Sequence, residues 1–371
     1  MVQFVSTVLQ WGVVQHKTYH IALNCRTYYL LKGRHQMKTF VPSRVYVEKG
    51  CASYRLGREL IKKYTDMGIE IIDIDNHNKI PELRERPNAD FSKMKNYLVL
   101  GIRKSLTHQK NNKTSDFLVP YTSSGCAAMC LYCYLVCTYY TSAYLRVFVN
   151  REEMMNKLKR AADKYPGSVF EIGSNSDLVL ENTVSGNLEW TIKQFAEVDN
   201  ARITLPTKFS MVDTLLDLPH GHNVTIRMSL NPQEIISHVE FGTSRLSDRI
   251  EALNKLYTAG YDTGILVAPI IMVDGYRDMY EKLFAMMAEK LLPGIKSTVA
   301  LELIYMTYGM VTKNINEEAF PGAWNLYNKE SMAFCGRSRY GYKRDTKEEA
   351  SEFFRDRIAH YLPEASIAYI V

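Results

Sequence analysis

The hydrophobic pattern of this chain changes period again and again. From Val45 an alternating apolar run, "RVYVEK", gives way to a 3.6-residue repeat, "RLGRELIKKYTDM", and then to a second alternating run, "IEIIDID". Period-2 runs rich in β-branched residues predict strands, and the longer repeat predicts an amphipathic helix, so this part is a small α/β unit. A polar stretch rich in Asn, Lys and Pro follows, and then "DFLVPYTSS" (116–124), a short apolar strand. Beyond it lies a regular series: helix from Arg151, strand "SVFEIGSNSD", helix from Gly186, strand "ARITLPTK", helix "SMVDTLLDL" and strand "NVTIRMSLN". The series continues with helix "SRLSDRIEALNKLYTAG", strand "TGILVAPII", helix "YRDMYEKLFAMMAEKLL" and strand "TVALELIYM". Six strands separated by helices predict parallel βα units closed into a partial (β/α)6 TIM-like barrel, an α/β fold.

The rhythm breaks near Met310. There the chain carries "CGRSRYGYKR" (335–344) and a helix over Lys347–Tyr361, a C-terminal hairpin and helix extension. Residues 1–36 have little periodicity, and "MKTFVPSRVYVEKG" at Met37 is a more natural beginning; the expectation is a non-native or disordered upstream extension of the reading frame, with a real N-terminal arm as the alternative. The resulting division is 1–36 extension, 37–115 α/β unit, 116–309 partial barrel and 310–371 extension.

Composition changes this picture little. With 371 residues, 46% of them hydrophobic, the chain can bury the core of roughly two domains and is not a disordered protein. A formal charge of +6 permits contact with a polyanion without demanding it. The start, "MVQFVSTVLQWGVV", lacks a basic lead and cleavage site, and no apolar run is long enough to span a bilayer, so a soluble cytoplasmic protein without a membrane partner is expected.

The seven cysteines sit at positions 25, 51, 126, 130, 133, 137 and 335, an odd number that does not describe a disulfide framework. Cys126, Cys130 and Cys133 form C-x3-C-x2-C in the loop after the first barrel strand, where a barrel places its mouth. Thiolates are the usual protein ligands of iron–sulfur clusters, and three of them around a four-iron cube leave one iron open to a small molecule. Zinc is the rival metal, but its second C-x2-C or histidine pair is missing.

Polar residues at Ser176, Lys208, Ser229 and Asn231 stand at or near the ends of the second, third and fourth strands, where a zwitterionic ligand would find hydrogen bonds and a cation. Asp177 is placed to cap the following turn. Arg337–Arg344, "RSRYGYKR", holds four basic residues and two tyrosines, a pairing that suits phosphates and exposed bases, with a solvated hairpin as the alternative.

The cysteine motif on a six-fold βα barrel resembles the radical S-adenosylmethionine superfamily. "MKTFVPSRVYVEKG", "MGIEI", "GCAAMCLYCYL", "YLRVFVN", the Ser176–Asp177 and Thr207–Lys208 pairs, "SLN" at Ser229–Asn231, "VAPI" and "RYG" follow in order the pattern of the spore photoproduct lyase family. The resemblance covers nearly everything from Met37 onward. It implies a [4Fe–4S] cluster on Cys126, Cys130 and Cys133, and S-adenosylmethionine bound by Ser176, Lys208, Ser229 and Asn231. It further implies a deoxyadenosyl radical that takes hydrogen from a methylene-bridged thymine dimer in ultraviolet-damaged double-stranded DNA, which then splits to two thymines. Tyr132 and Tyr134 match positions linked to hydrogen-atom relay, and Arg339 and Tyr340 match the element that touches the lesion. An electron donor such as flavodoxin or ferredoxin and a place in the spore core or germinating cell belong to the same implication.

One position departs from the family. Ser174 stands where the family has the cysteine that returns a hydrogen to the thymine radical, and an O–H bond is too strong to do so. Cys137 is the nearest alternative donor in sequence, and Cys335 is a second. The departure leaves room for a radical enzyme with another substrate, and a non-catalytic iron–sulfur protein that binds nucleic acid is the third reading.

Overall fold

A computed structural model describes residues 39–139 and 144–371. The extension expected over 1–36 lies outside these residues. Six strands, Phe117–Leu118, Val169–Glu171, Arg202–Thr207, Val224–Ser229, Asp262–Ile270 and Ala300–Tyr305, run parallel and side by side in chain order. They are the six strands the alternation predicts, and they curl into a partial barrel. Leu205, Ile226, Ile265 and Leu303 are fully buried, as expected of parallel strands covered by helices on the outside. Inside, Arg227 is paired with Glu171 and with Glu302, the latter at 2.9 Å, which ties the second, fourth and sixth strands together.

Two strands extend this sheet beyond the expectation. Gln109–Lys110 adds antiparallel to Phe117–Leu118, and Ser366–Ile370 adds parallel to Ala300–Tyr305. In the other direction, the helix expected over "SMVDTLLDL" is only a 3-10 turn, Asp213–Leu215. Ser210 already donates both its N–H and its hydroxyl to Ser244 Oγ, and Pro219 closes the segment; what remains is too short to offset the cost of nucleating an α-helix.

The second sheet has the order Glu70–Ile74, Arg44–Glu48, Tyr97–Gly101, Leu145–Phe148, Ser123–Ser124. Its first four strands are parallel and the last is antiparallel. The single strand expected over 116–124 is therefore divided. Phe117–Leu118 joins the barrel and Ser123–Ser124 joins the other sheet, because Pro120 between them has no N–H to continue a ladder. The consequence for function is that the cysteine loop leaves from a segment pinned by both sheets.

At the C-terminal end, Met332–Gly336 and Arg339–Tyr342 form the hairpin, and Thr307–Gly309 pairs with its second strand. Arg337 and Ser338 make the turn at φ of 50° and 55°, the two-residue geometry whose twist matches that of the strands. Helix Arg344–Tyr361 follows and packs on helix Tyr276–Lys290 through Phe354, whose ring meets Tyr280 edge-on at 5.1 Å. Among the described residues no helix is long and apolar enough to cross a membrane.

Candidate active site

The cysteine loop is held at both ends. Gly125 N donates to Asn175 O at 2.8 Å, which joins the loop to the segment after the second barrel strand, and the Lys95 amine donates to Cys126 O at 2.9 Å from a buried position. Met129–Cys130 forms a short antiparallel pair with Glu240–Phe241, and Cys133 N closes a tight turn onto Cys130 O at 3.1 Å. Three thiols thus come from one fixed turn of chain.

Burial pushes the Cys126 thiol up to about 12, with the charge of Asp177 adding to it. Burial likewise takes Cys130 well above its ordinary value, with Glu240 next in effect. Cys126 and Cys130 are therefore neutral thiols on their own, and a cationic centre would favour their thiolates. Among the described residues no three His, Cys, Asp or Glu side chains meet closely enough to hold one metal ion. A cube asks less of them, since each thiolate takes a separate iron.

Behind Cys130 lies a polar network that local sequence signals do not reveal. The Glu240 and Arg249 side chains are fully buried and paired at 2.6 Å. Glu240 also accepts hydrogen bonds from the Tyr132 hydroxyl and from Asn231 Nδ2, the latter at 2.9 Å, and Arg249 donates to Ser229 O at 2.8 Å and Ser244 O at 2.9 Å. Burial alone would raise the Glu240 carboxyl; Arg249, Lys208 and the two hydrogen bonds together hold it below its ordinary value. Burial, then the Glu240 charge, drive the Tyr132 phenol well above its ordinary range, so it is a neutral donor.

The predicted ligand-binding residues divide into two groups. Lys208 and Ser229 meet at the mouth: the Lys208 amine donates to Ser229 Oγ at 2.9 Å and to Ala268 O at 3.0 Å, and lies 5.8 Å from the Tyr132 ring centre, while Ser176 lies between Asn175, which receives Gly125 N, and Asp177, which receives Lys208 N. Among the described residues Ser176 Oγ is buried with no hydrogen-bond partner. An orphaned hydroxyl next in sequence to the Asp177 that receives Lys208 N, together with an amine whose hydrogen bonds go to neutral oxygens, fits the amino and carboxylate groups of an amino-acid ligand. Asn231 is in the second group, fully buried with its amide spent on Glu240, Pro269 O and the Tyr280 hydroxyl. Asp177 caps helix Leu178–Ser185, accepting from Val179 N and Leu180 N, and also receives Lys208 N.

Helix Tyr134–Tyr139 leaves the loop with two candidate residues on it. Tyr134 donates its hydroxyl to the backbone oxygen of Ser174 and is 55% exposed, so its ring stands open beside the departed family position. Cys137 Sγ lies 3.2 Å from Thr312 Oγ1 and packs on Gly309, where any side chain would collide with it. Gly309 pairs with Arg339, so this thiol sits beside the hairpin strand. Cys335 is exposed on the other strand of the hairpin, its thiol 3.4 Å from Arg339 O. Tyr340 is half-buried, with its ring edge-on to Tyr327 at 4.8 Å.

Comparisons with known proteins place the chain in a family. A family profile described as spore photoproduct lyase matches residues 40–371. The chain is similar to the spore photoproduct lyase of Geobacillus sp. (strain Y412MC61), 33% identical over 341 residues that span 90% of this chain and 99% of that one. It is similar to that of Bacillus subtilis (strain 168) at 31% identity, covering 89% and 98% of the two chains. Among solved structures, a spore photoproduct lyase complexed with dinucleoside spore photoproduct superimposes with a TM-score of 0.83 at 29% identity, over 90% of this chain and 99% of that one. A mutant with bound AdoMet and dinucleoside spore photoproduct gives the same TM-score and coverage at 30% identity.

Proposed function

This chain belongs to the spore photoproduct lyase family, and on that premise we propose that its barrel mouth holds S-adenosylmethionine against a [4Fe–4S] cluster while its C-terminal hairpin presents the damaged DNA. The activity is that of a DNA repair lyase, which splits the methylene-bridged thymine dimer back to two thymines. When bound, cluster and S-adenosylmethionine supply a radical that takes hydrogen from the lesion; the protein supplies binding, orientation and exclusion of quenchers.

The observation that supports this reading is the backbone link of the three-cysteine loop to Asn175 and of Lys208 to Asp177, with the buried, unpartnered Ser176 hydroxyl between those two residues. Cys126, Cys130 and Cys133 would ligate the cluster. Ser176, Lys208 and Ser229 would bind the methionine end of the cofactor, with Lys208 on its carboxylate. Asn231, from behind, would hold Glu240 and through it Tyr132. Tyr132 and Tyr134 would relay a hydrogen atom, and Arg339 and Tyr340 would contact the lesion. The segment 310–371 serves in this reading as the DNA-contacting extension, with flavodoxin or ferredoxin as reductant and the spore core or germinating cell as the place of work.

Cys137 is assigned the donor role that Ser174 cannot fill. A thiol S–H is weak enough to yield hydrogen to a carbon radical, and this one stands beside the strand that carries Arg339. The test is anaerobic incubation of the reduced, iron-loaded protein with the dinucleoside lesion. Wild-type protein should release thymidine products, and Cys137→Ala should still cleave S-adenosylmethionine while diverting the lesion to trapped adducts. Clean thymine from that variant at the wild-type rate removes Cys137 from the mechanism. Cofactor cleavage by the wild type with the lesion left intact would assign the chain a different substrate.

A further inference from the structure

Next to the hairpin lies a cleft that the cofactor site does not use. Its volume is about 440 Å³, and Met272, Asp274, Trp324, Tyr327 and Tyr342 line it. The size is that of a small-molecule site, and the lining is mixed, with Asn325 and Asn328 beside the aromatic rings. Trp324 stacks on His238 with ring centres 4.4 Å apart and planes 6° from parallel, so the indole is already fixed in a stacking geometry. The cleft is also the inner end of an aromatic track. Phe334, 64% exposed on the hairpin, meets Tyr340 at 5.9 Å, and Tyr340 meets Tyr327 at 4.8 Å.

Charge identifies what the track would carry. Arg337 and Lys343 are exposed and Arg339 half-exposed around it, and none of the three is in an ion pair among the described residues; Lys343 donates to the backbone oxygen of Glu330. Cations along the outside and aromatic faces along the inside match a nucleic acid strand, phosphates outward and bases inward. Within the cleft the sign reverses, because its charged group is the exposed carboxylate of Asp274. That carboxylate repels phosphate and accepts from an amine. Thymine offers two carbonyls around one imino donor, whereas adenine offers an exocyclic amine. Extruding two linked thymines from a duplex leaves two adenines of the opposite strand without partners.

We propose that this cleft binds an orphaned adenine of the undamaged strand, stacked against Trp324 with its amine on Asp274. The inference rests on the repair reading above. It separates contacts to the lesion, which the hairpin residues Arg339 and Tyr340 make, from contacts to the opposite strand, which a dinucleoside lacks.

The experiment compares two substrates in Trp324→Ala and Asp274→Asn. Both variants should repair the dinucleoside lesion at the wild-type rate and bind a lesion-bearing duplex more weakly, by roughly 5- to 150-fold for loss of one stacked base in Trp324→Ala. In the wild type, purine, which lacks the exocyclic amine, in place of the adenine opposite the lesion should weaken duplex binding, and Asp274→Asn should narrow that difference. Asp274→Asn, close in shape, keeps the comparison sharp should Trp324→Ala fail to fold. Unchanged duplex binding in both variants overturns the proposal, as does an equal loss on both substrates, which would make the cleft part of the lesion site. A wild-type protein that repairs neither substrate defeats the parent reading instead, and this one with it.

Discussion

The barrel mouth and the C-terminal hairpin treat charge in opposite ways. At the mouth, Arg249 and Glu240 are buried completely and paired at 2.6 Å, and their remaining hydrogen-bonding capacity is spent on Tyr132, Asn231, Thr243 and two backbone oxygens. At the hairpin, Arg337, Arg339 and Lys343 face water or half-face it without a carboxylate partner among the described residues. A buried pair gains little net stability over a well-packed apolar pair, so its use is to fix geometry before the ligand arrives. Exposed cations cost little, because solvent screens them, and they attract a polyanion from a distance. The mouth is thus preorganised and the hairpin is left unsatisfied. Chemistry that generates a radical needs the first, and binding that does not read sequence needs the second.

The sharpest way to break the mouth is at the loop. Replacing any one of Cys126, Cys130 or Cys133 by Ala should drop iron from about four per chain towards none and abolish S-adenosylmethionine cleavage, read by iron analysis and by deoxyadenosine yield. Retention of cleavage by a triple variant would remove the cluster from this loop. Next in size is the network behind it. Arg249→Met leaves Glu240 buried and uncompensated and should cost about 3–5 kcal/mol in denaturant unfolding, whereas an equivalent change at Arg337 should cost less than about 0.5 kcal/mol. Equal costs would erase the distinction between the two regions.

A third test uses pH. Glu181, in helix Leu178–Ser185, is buried and its carboxyl is raised from 4.5 to about 7, chiefly by burial. A raised acid stabilises the fold while protonated: its contribution is complete below about 4.5 and is lost as pH rises through about 7. Glu181→Gln should therefore flatten unfolding stability across that window by up to about 3 kcal/mol, measured by denaturation at several pH values. Smallest is Arg339→Ala, expected to weaken lesion-duplex binding by about 1–3 kcal/mol and to lower the salt slope by about one, without changing thermal stability.

Much of this contrast is legible in the sequence, but unevenly. The last five barrel strands announce themselves because each is an apolar run next to a helical repeat, the first because it is a short apolar run after a polar stretch, and the three cysteines because their spacing is tight. Tyr97–Gly101 and Leu145–Phe148 escape notice because both are short and buried on every side, so neither alternation nor length marks them. Ser366–Ile370 finds its place only by pairing with a strand over sixty residues earlier. Glu240 and Arg249 look like ordinary surface charges of a helical stretch. Only the antiparallel pairing of Glu240 with Cys130 brings that carboxylate to Tyr132, and such a contact between residues over a hundred positions apart has no local signal. The hairpin was readable for the opposite reason, since its cations and aromatics are consecutive.

The direct measurement of the central claim is salt dependence on two substrates. Repair of the dinucleoside lesion and repair of the same lesion in duplex DNA are followed from low salt to about 0.2 M, a range over which phosphate contacts lose affinity steeply. If the chemistry belongs to the preorganised mouth and DNA affinity to the unpaired cations of the hairpin, the dinucleoside rate stays flat while the duplex KM climbs, and Arg337→Ala or Arg339→Ala each reduce the slope of that climb. A dinucleoside rate that falls in parallel with the duplex, or a duplex KM indifferent to salt, would contradict the division of labour between the two regions.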